Sequence, residues 1–256
     1  MAQNDEKEIQ QLKNRFHDLA DKSFQQGIFT FTGFLGLSGQ DIFWKEEPGL
    51  KYACYEINGG CEDADRVVIR FGSASELGYE VPFPIVCIHI APLQAKFADE
   101  LSHRDFLGAL MNLGIERGTL GDIKTGEREA YLFCLDTVAE FICENLTRIK
   151  HTNVKCSVVK EPGRVLKEEP ETVNIQVQAL RADAVLARVY GMSRERSLEL
   201  FRAGKVYVDG RLCENNARVL KAGETVSARG FGKFVLRGEA RETRKGKLSV
   251  EAAVYR

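Results

Sequence analysis

Between residues 81 and 160 short apolar runs and amphipathic stretches follow one another in a single order, and that order constrains the fold most. Ile85 to Ile90 is a short apolar run with the length of a strand. Ser102 followed by Asp105 makes a capping-box-like pair at a helix start. Phe106, Ala109, Leu110 and Leu113 then share one face, and Gly114 is a stop. Ile123 and the run Ala130 to Leu135 read as strands joined through Thr125-Gly126. Val138, Phe141, Ile142 and Leu146 mark a second helix, and Val154 to Val159 closes the unit as a strand. Strand-helix-strand-strand-helix-strand is the split βαβ, or ferredoxin-like, pattern.

The flanks divide around this unit. In residues 1–80, an N-terminal α/β segment, Ile9, Leu12, Phe16 and Leu19 repeat at helical spacing over 5–25. Strand-like runs Tyr52 to Ile57 and Val67 to Phe71 follow, with the turn signal Gly59-Gly60 between them. Residues 161–172 read as a linker holding Pro162, Gly163, Pro170 and four glutamates. In residues 173–256, Val173 to Val177 alternates like a strand. Ala182, Val185, Leu186 and Val189 form the buried stripe of a helix. Ser193 can cap a second helix that ends at Gly204, and Asp209-Gly210 turns a hairpin. The expected class is therefore α+β and multi-domain.

Composition narrows the function. With 44% hydrophobic and 29% charged residues, the chain has ordinary globular usage. The apolar stretch Val81 to Ile88 is broken by Pro82 and Pro84 and is far shorter than the ~20 residues a membrane span needs. Residues 1–7 have no apolar core, so they read as no signal peptide. Seven cysteines without a C-x-x-C pair read as reduced thiols of a cytoplasmic protein. The net charge of −1 hides an asymmetry. Residues 181–256 hold 17 Lys and Arg against 9 Asp and Glu, leaving 19 of the 36 basic and 28 of the 37 acidic residues to 1–180. An acidic body with a basic C-terminal part suggests a nucleic-acid module on a larger scaffold, and uneven surface charge is the plainer reading.

Within that basic part, Arg181-Ala182-Asp183, Ser193-Arg194, Arg202 to Val206, Val208-Asp209-Gly210, Lys221 to Glu224 and Arg229-Gly230 stand in order. Residues 181–238 thereby resemble the S4-type RNA-binding domain. Ala182, Ser197 and Asp209 depart from it, standing where Leu, Ala and Asn are usual. The resemblance implies that the first two helices rest on structured RNA through their arginines. Expected RNA contacts are Arg181, Arg188, Ser193, Arg194, Arg196, Arg202, Lys205, Arg229 and Lys233. Guanidinium forks suit phosphate oxygens, and a helix start adds N–H groups. The opposing reading pairs Arg181 with Asp183 and Arg196 with Glu199. Phe231, between Gly230 and Gly232, either stacks on a base or staples its turn. Arg241, Arg244, Lys245 and Lys247 read as a basic tail extending the footprint.

A second resemblance covers nearly the whole chain. The stretch from Ser102 to Ile123 resembles the hallmark of the bacterial YlmH family. Gly59-Gly60 with Ala64-Asp65-Arg66, and Phe31 to Leu35, resemble two further stretches of that family. The resemblance implies association with the large ribosomal subunit in ribosome-associated quality control. Expected partners are large-subunit rRNA and tRNA or peptidyl-tRNA, with no membrane, no cofactor and no metal. The acidic N-terminal part is a candidate surface for a protein partner.

Other signals point elsewhere and fail. His103-Arg104-Asp105 matches a kinase triplet, but Leu110 stands where the kinase Asn belongs. It reads as the polar first turn of a helix, with Arg104 reaching either RNA or a glutamate. Tyr131 and Phe133 share a strand face as RNA-binding sheets require, yet Ile85 to Ile90 carries no aromatic, and core packing is the competing role. No His or Cys pair has ligand spacing. The rival functions are an RNA-modifying enzyme targeted by an S4-type domain and a protein-interaction scaffold. The enzyme would need a G-R-L-D, a Gly-rich cofactor loop or an H-I-G-H, and none is present.

Overall fold

A computed structural model describes residues 2–160, 170–244 and 246–255. The chain forms two compact units, one up to Lys167 and one from Glu168. Most of the expected linker, 161–169, lies outside the described residues, while Glu171 and Thr172 already belong to a strand.

The first unit begins with α1 (Ala2–Gln26), β1 (Thr30–Phe31), α2 (Leu37–Glu46), β2 (Tyr55–Asn58), β3 (Val68–Phe71) and the one-turn α3 (Ala74–Leu77). The strands make a small antiparallel sheet in the order β1-β3-β2. The helical spacing of α1 buries Phe16, Leu19 and Ala20 against Phe43, Ile69 and Phe71, whereas Ile9 lies exposed.

Next come β4 (Ile85–Pro92), α4 (His103–Asn112), β5 (Leu120–Thr125), β6 (Ala130–Leu135), α5 (Asp136–Asn145), β7 (Arg148–Ile149) and β8 (Thr152–Val159). The sheet order is β5-β6-β4-β8-β7, antiparallel throughout. Setting aside the edge strand β7, this is the ferredoxin-like order expected from the sequence. At the start of α4, the Asp105 carboxylate accepts hydrogen bonds from the Ser102 N–H at 2.8 Å and from its hydroxyl at 2.6 Å. On one sheet face, Phe106, Leu110 and Ile142 of the helices meet Ile88, Ile90 and Leu132.

The other sheet face is covered by the N-terminal segment. Phe34 and Val68 pack on Cys87, Tyr131 and Phe133, and Phe133 is 2% exposed. The approach is so close that a Cβ on Gly121 would lie 2.6 Å from the Phe34 ring. Tyr131 and Phe133 are thus core residues, which settles the choice left open by their spacing. Three family-like stretches meet at this seam. The Arg66 guanidinium donates to the carbonyls of Leu120, Phe34 and Arg117 at 2.8, 2.9 and 3.0 Å. The Asp122 carboxylate accepts the N–H groups of Asp65 and Arg66 at 2.6 and 3.2 Å, and the Phe34 N–H reaches the Gly118 carbonyl at 2.6 Å. Burial lowers the pKa of Arg66 to about 10, a guanidinium still charged at neutral pH.

The second unit contains β9 (Glu171–Val177), α6 (Ala182–Val189), α7 (Arg194–Arg202), β10 (Val206–Val208), β11 (Arg211–Leu212), β12 (Thr225–Ala228), β13 (Gly232–Glu242) and β14 (Leu248–Tyr255). One sheet in the order β11-β10-β12-β13-β14-β9 carries both helices. Its core joins Val185, Leu186 and Val189 of α6 and Leu200 and Phe201 of α7 to Val206, Phe234 and Ala252. The hairpin turn holds Asp209 at φ 49° and Gly210 at φ 74°, the left-handed pair of a two-residue hairpin. Asp209 also accepts the Thr225 N–H at 2.8 Å. Because the unit has its own core, residues 170–256 made alone are expected to melt in one cooperative step. A broad, non-cooperative melt by circular dichroism would show that the unit depends on the rest of the chain.

Candidate nucleic-acid interface

The second unit presents a groove of about 730 Å³ between β9 and the helix pair. Arg181, Arg188, Arg194 and Lys247 stand on it, with Ala184, Ala187 and Met192 as small or apolar lining. The local chain explains the placement. Ala182, Val185, Leu186 and Val189 commit one side of α6 to the core, so Arg188 falls on another. Gly191 turns the chain at φ 61°, and the Met192 N–H returns to the Ala187 carbonyl at 2.9 Å. The Ser193 hydroxyl then accepts the Arg196 N–H at 3.1 Å and starts α7 with Arg194 in its first turn.

Asp183 organises the groove from beneath. Its side chain is 1% exposed. One carboxylate oxygen receives Arg181 Nε at 3.0 Å, and the other receives Arg181 Nη2 at 3.1 Å and Arg194 Nη2 at 3.2 Å. Asn216 Nδ2 adds a bond at 3.2 Å and the Ala184 N–H another at 2.9 Å. Burial alone pushes the Asp183 pKa up, but the bonds from Arg181, Arg194 and Asn216 more than offset it and hold it below the usual carboxylate value. The same pairing raises the pKa of Arg181. The Ser197 hydroxyl donates to the Asp183 carbonyl at 2.9 Å, so the serine at a position where alanine is usual ties α7 to α6.

The arginine–aspartate pairing and the basic groove are therefore the same structure. Arg181 and Arg194 remain 38% and 62% exposed at the side chain while Asp183 is sealed. A buried carboxylate fixes two guanidinium groups whose remaining donors face the groove. Such preset forks suit phosphate oxygens, since little side-chain entropy is left to give up on binding.

The other expected residues fall outside this groove. Arg196 pairs with Glu199 at 2.8 Å within α7. Arg202 and Lys205 are exposed near the end of α7, and the Arg229 N–H bonds to the Lys205 carbonyl at 2.9 Å, bringing Lys205 and Arg229 to one edge. The Arg229 guanidinium lies 5.2 Å from the Tyr207 ring centre. Lys233 is only 8% exposed, with its ammonium 5.6 Å from the Tyr255 ring centre, so it sits within the fold. Phe231 packs against Tyr190 at 5.6 Å and staples its turn. Lys247 is a groove residue that the sequence suggests only as part of a tail. Its position follows from the pairing of β14 with β9, which puts Leu248 opposite Val177.

Similarity to known proteins reaches the first unit. Residues 80–161 match the family described as "Putative RNA-binding domain in YlmH". The chain is similar to the Ribosome-associated protein quality control protein P2 of Bacillus subtilis (strain 168), at 30% identity over 163 residues. That match covers 60% of this chain and 62% of the relative, so it spans under two thirds of the relative's length. Among solved structures, the Cell division protein ylmH from Streptococcus pneumoniae matches 59% of this chain and 91% of its own, at 17% identity and a TM-score of 0.47.

Proposed function

We propose that the chain is a member of the YlmH family and a non-catalytic RNA-binding protein that acts on the ribosome. The observation that carries the reading is the groove in which buried Asp183 holds Arg181 and Arg194 beside Arg188. In this reading residues 173–256 are an S4-type domain that docks on large-subunit rRNA and meets tRNA or peptidyl-tRNA. Arg181, Arg188 and Arg194 make the central phosphate contacts, and Arg202, Lys205 and Arg229 extend them. The protein works in the cytoplasm in quality control of stalled nascent chains. It acts by occupancy, holding RNA partners in place. The name of the Bacillus subtilis relative and the family description support this assignment. No helix among the described residues is long and apolar enough to cross a membrane.

Ribosomal RNA offers dense, fixed phosphates, which match arginines held rigidly on two short helices. The test is fractionation of a lysate on a density gradient. The protein is expected with the large subunit, enriched when peptidyl-tRNA is trapped there and released as salt rises. Migration with free soluble proteins at low salt, even after stalling is induced, would overturn the ribosomal role.

A further inference from the structure

The first unit matches an RNA-binding family, yet the sheet face that RNA-binding folds of this topology usually offer is closed by Phe34 and Val68. RNA must then meet another face of this unit. We propose that it is the groove between α4 and the β7–β8 hairpin, and that it binds the sugar-phosphate backbone of structured RNA. The inference rests on the RNA-binding reading above but concerns a separate site in the other unit.

The groove has a volume of about 420 Å³, and its lining includes Arg104, Gly108, Asn112, Asn145, Arg148 and Lys150. Asp105 is the carboxylate on its wall, and it is engaged by Ser102 and by Lys150 at 2.7 Å. Arg104 and Arg148 are exposed, and among the described residues no carboxylate lies within ion-pair distance of either. The Arg148 Nε–H instead donates to the Lys150 carbonyl at 2.9 Å, which orients that side chain across the hairpin turn. Arg104 on α4 and Arg148 on β7 thus bring two guanidinium groups to one groove from two separate elements. Asn112 adds an amide group suited to 2′-hydroxyls, and Asn145, whose Nδ2 donates to the Phe141 carbonyl at 2.8 Å, adds an amide oxygen.

Gly108 is an independent observation. It stands in the interior of a ten-residue helix, where glycine is unfavourable relative to alanine. A Cβ there would meet nothing within 4 Å, so no packing within the described chain calls for its absence. A bare helix surface lets an outside backbone approach closely, and the basic walls say which charge that backbone carries.

The experiment uses the full chain and deproteinised large-subunit rRNA, with affinity measured across a salt series. The Arg104→Ala/Arg148→Ala variant is expected to bind about tenfold more weakly, with the salt slope shallower by about 0.7–0.9 for each phosphate no longer neutralised. Its melting temperature should match that of the unchanged protein, because both side chains are exposed. Gly108→Glu places a carboxylate in the open space of the same groove, and it should weaken binding while leaving the helix folded. Full affinity and an unchanged slope in both variants would overturn this site while leaving the Arg188 groove standing. An unchanged protein that binds no RNA would overturn both. Weak binding with a lowered melting temperature in both variants would assign these residues to the fold and overturn the site.

Discussion

Asp183→Ala is expected to destabilise the second unit by about 2–3 kcal/mol, since it deletes the shared acceptor of a buried polar network. For a unit of this size that lowers the melting temperature by roughly 10–20 °C. RNA affinity should fall in the same variant at temperatures where it is still folded, because Arg181 and Arg194 lose the carboxylate that fixes them. The network also sets a pH dependence. Asp183 stays ionised to lower pH when folded than when unfolded, so between those two pKa values the unfolded chain binds more protons. Its contribution is present above the ordinary carboxylate pKa of about 4 and is lost as pH falls below it. Melting curves of Asp183→Asn should lack that acid-side loss. An unaltered melting temperature in Asp183→Ala would mean that the carboxylate organises nothing.

The second large effect is on binding and separates Arg188 from its neighbours. The three arginines look equivalent along the sequence, and surface arginines of that kind can be removed at a cost within about 0.5 kcal/mol. The structure separates them. Arg181 and Arg194 are the cations that neutralise a sealed carboxylate, and removing both leaves Asp183 charged and buried. Arg181→Ala/Arg194→Ala should therefore lower the melting temperature by several degrees as well as weaken RNA binding. Arg188→Ala touches no such pair, and surface changes of that kind cost within about 0.5 kcal/mol. It should reduce the salt slope by about 0.7–0.9 with no change in melting. An unchanged slope in Arg188→Ala would remove the groove from the RNA interface.

What the sequence made legible follows from how local each signal is. The ferredoxin-like order could be read because helix stripes such as Phe106 and Leu110, the Ser102–Asp105 cap and the apolar strands are written within a few residues of one another. The hairpin at Asp209-Gly210 and the cap at Ser193 are equally local. Three features were not legible, two because they depend on distant partners and one because it is too short. The cover over Tyr131 and Phe133 comes from Phe34 and Val68, more than sixty residues earlier. Two-residue β7 has too little pattern to register, though it carries Arg148 to the rim of a groove. Lys247 reaches the arginine groove only through strand pairing. The candidate site adds a different lesson. Arg181 with Asp183 posed a choice between an internal ion pair and an RNA contact; the ion pair forms, and the guanidinium is still 38% exposed, so the pair leaves the second role open to it.

The position of β14 has a consequence for how the protein is made. β14 lies between β13 and β9, and β9 pairs with β14 as its strand neighbour. On a translating ribosome the end of β9, Val177, emerges 71 residues before Leu248. At ~5–20 residues per second, it waits roughly 4–14 seconds for a partner. During that interval its backbone offers an open template to any other extended chain nearby. Thr172, Asn174 and Gln176 share one face of the strand, are polar and stay exposed even in the finished sheet. One side of the waiting strand is therefore always hydrated, which limits its attraction for another nascent chain until its own partner is synthesised.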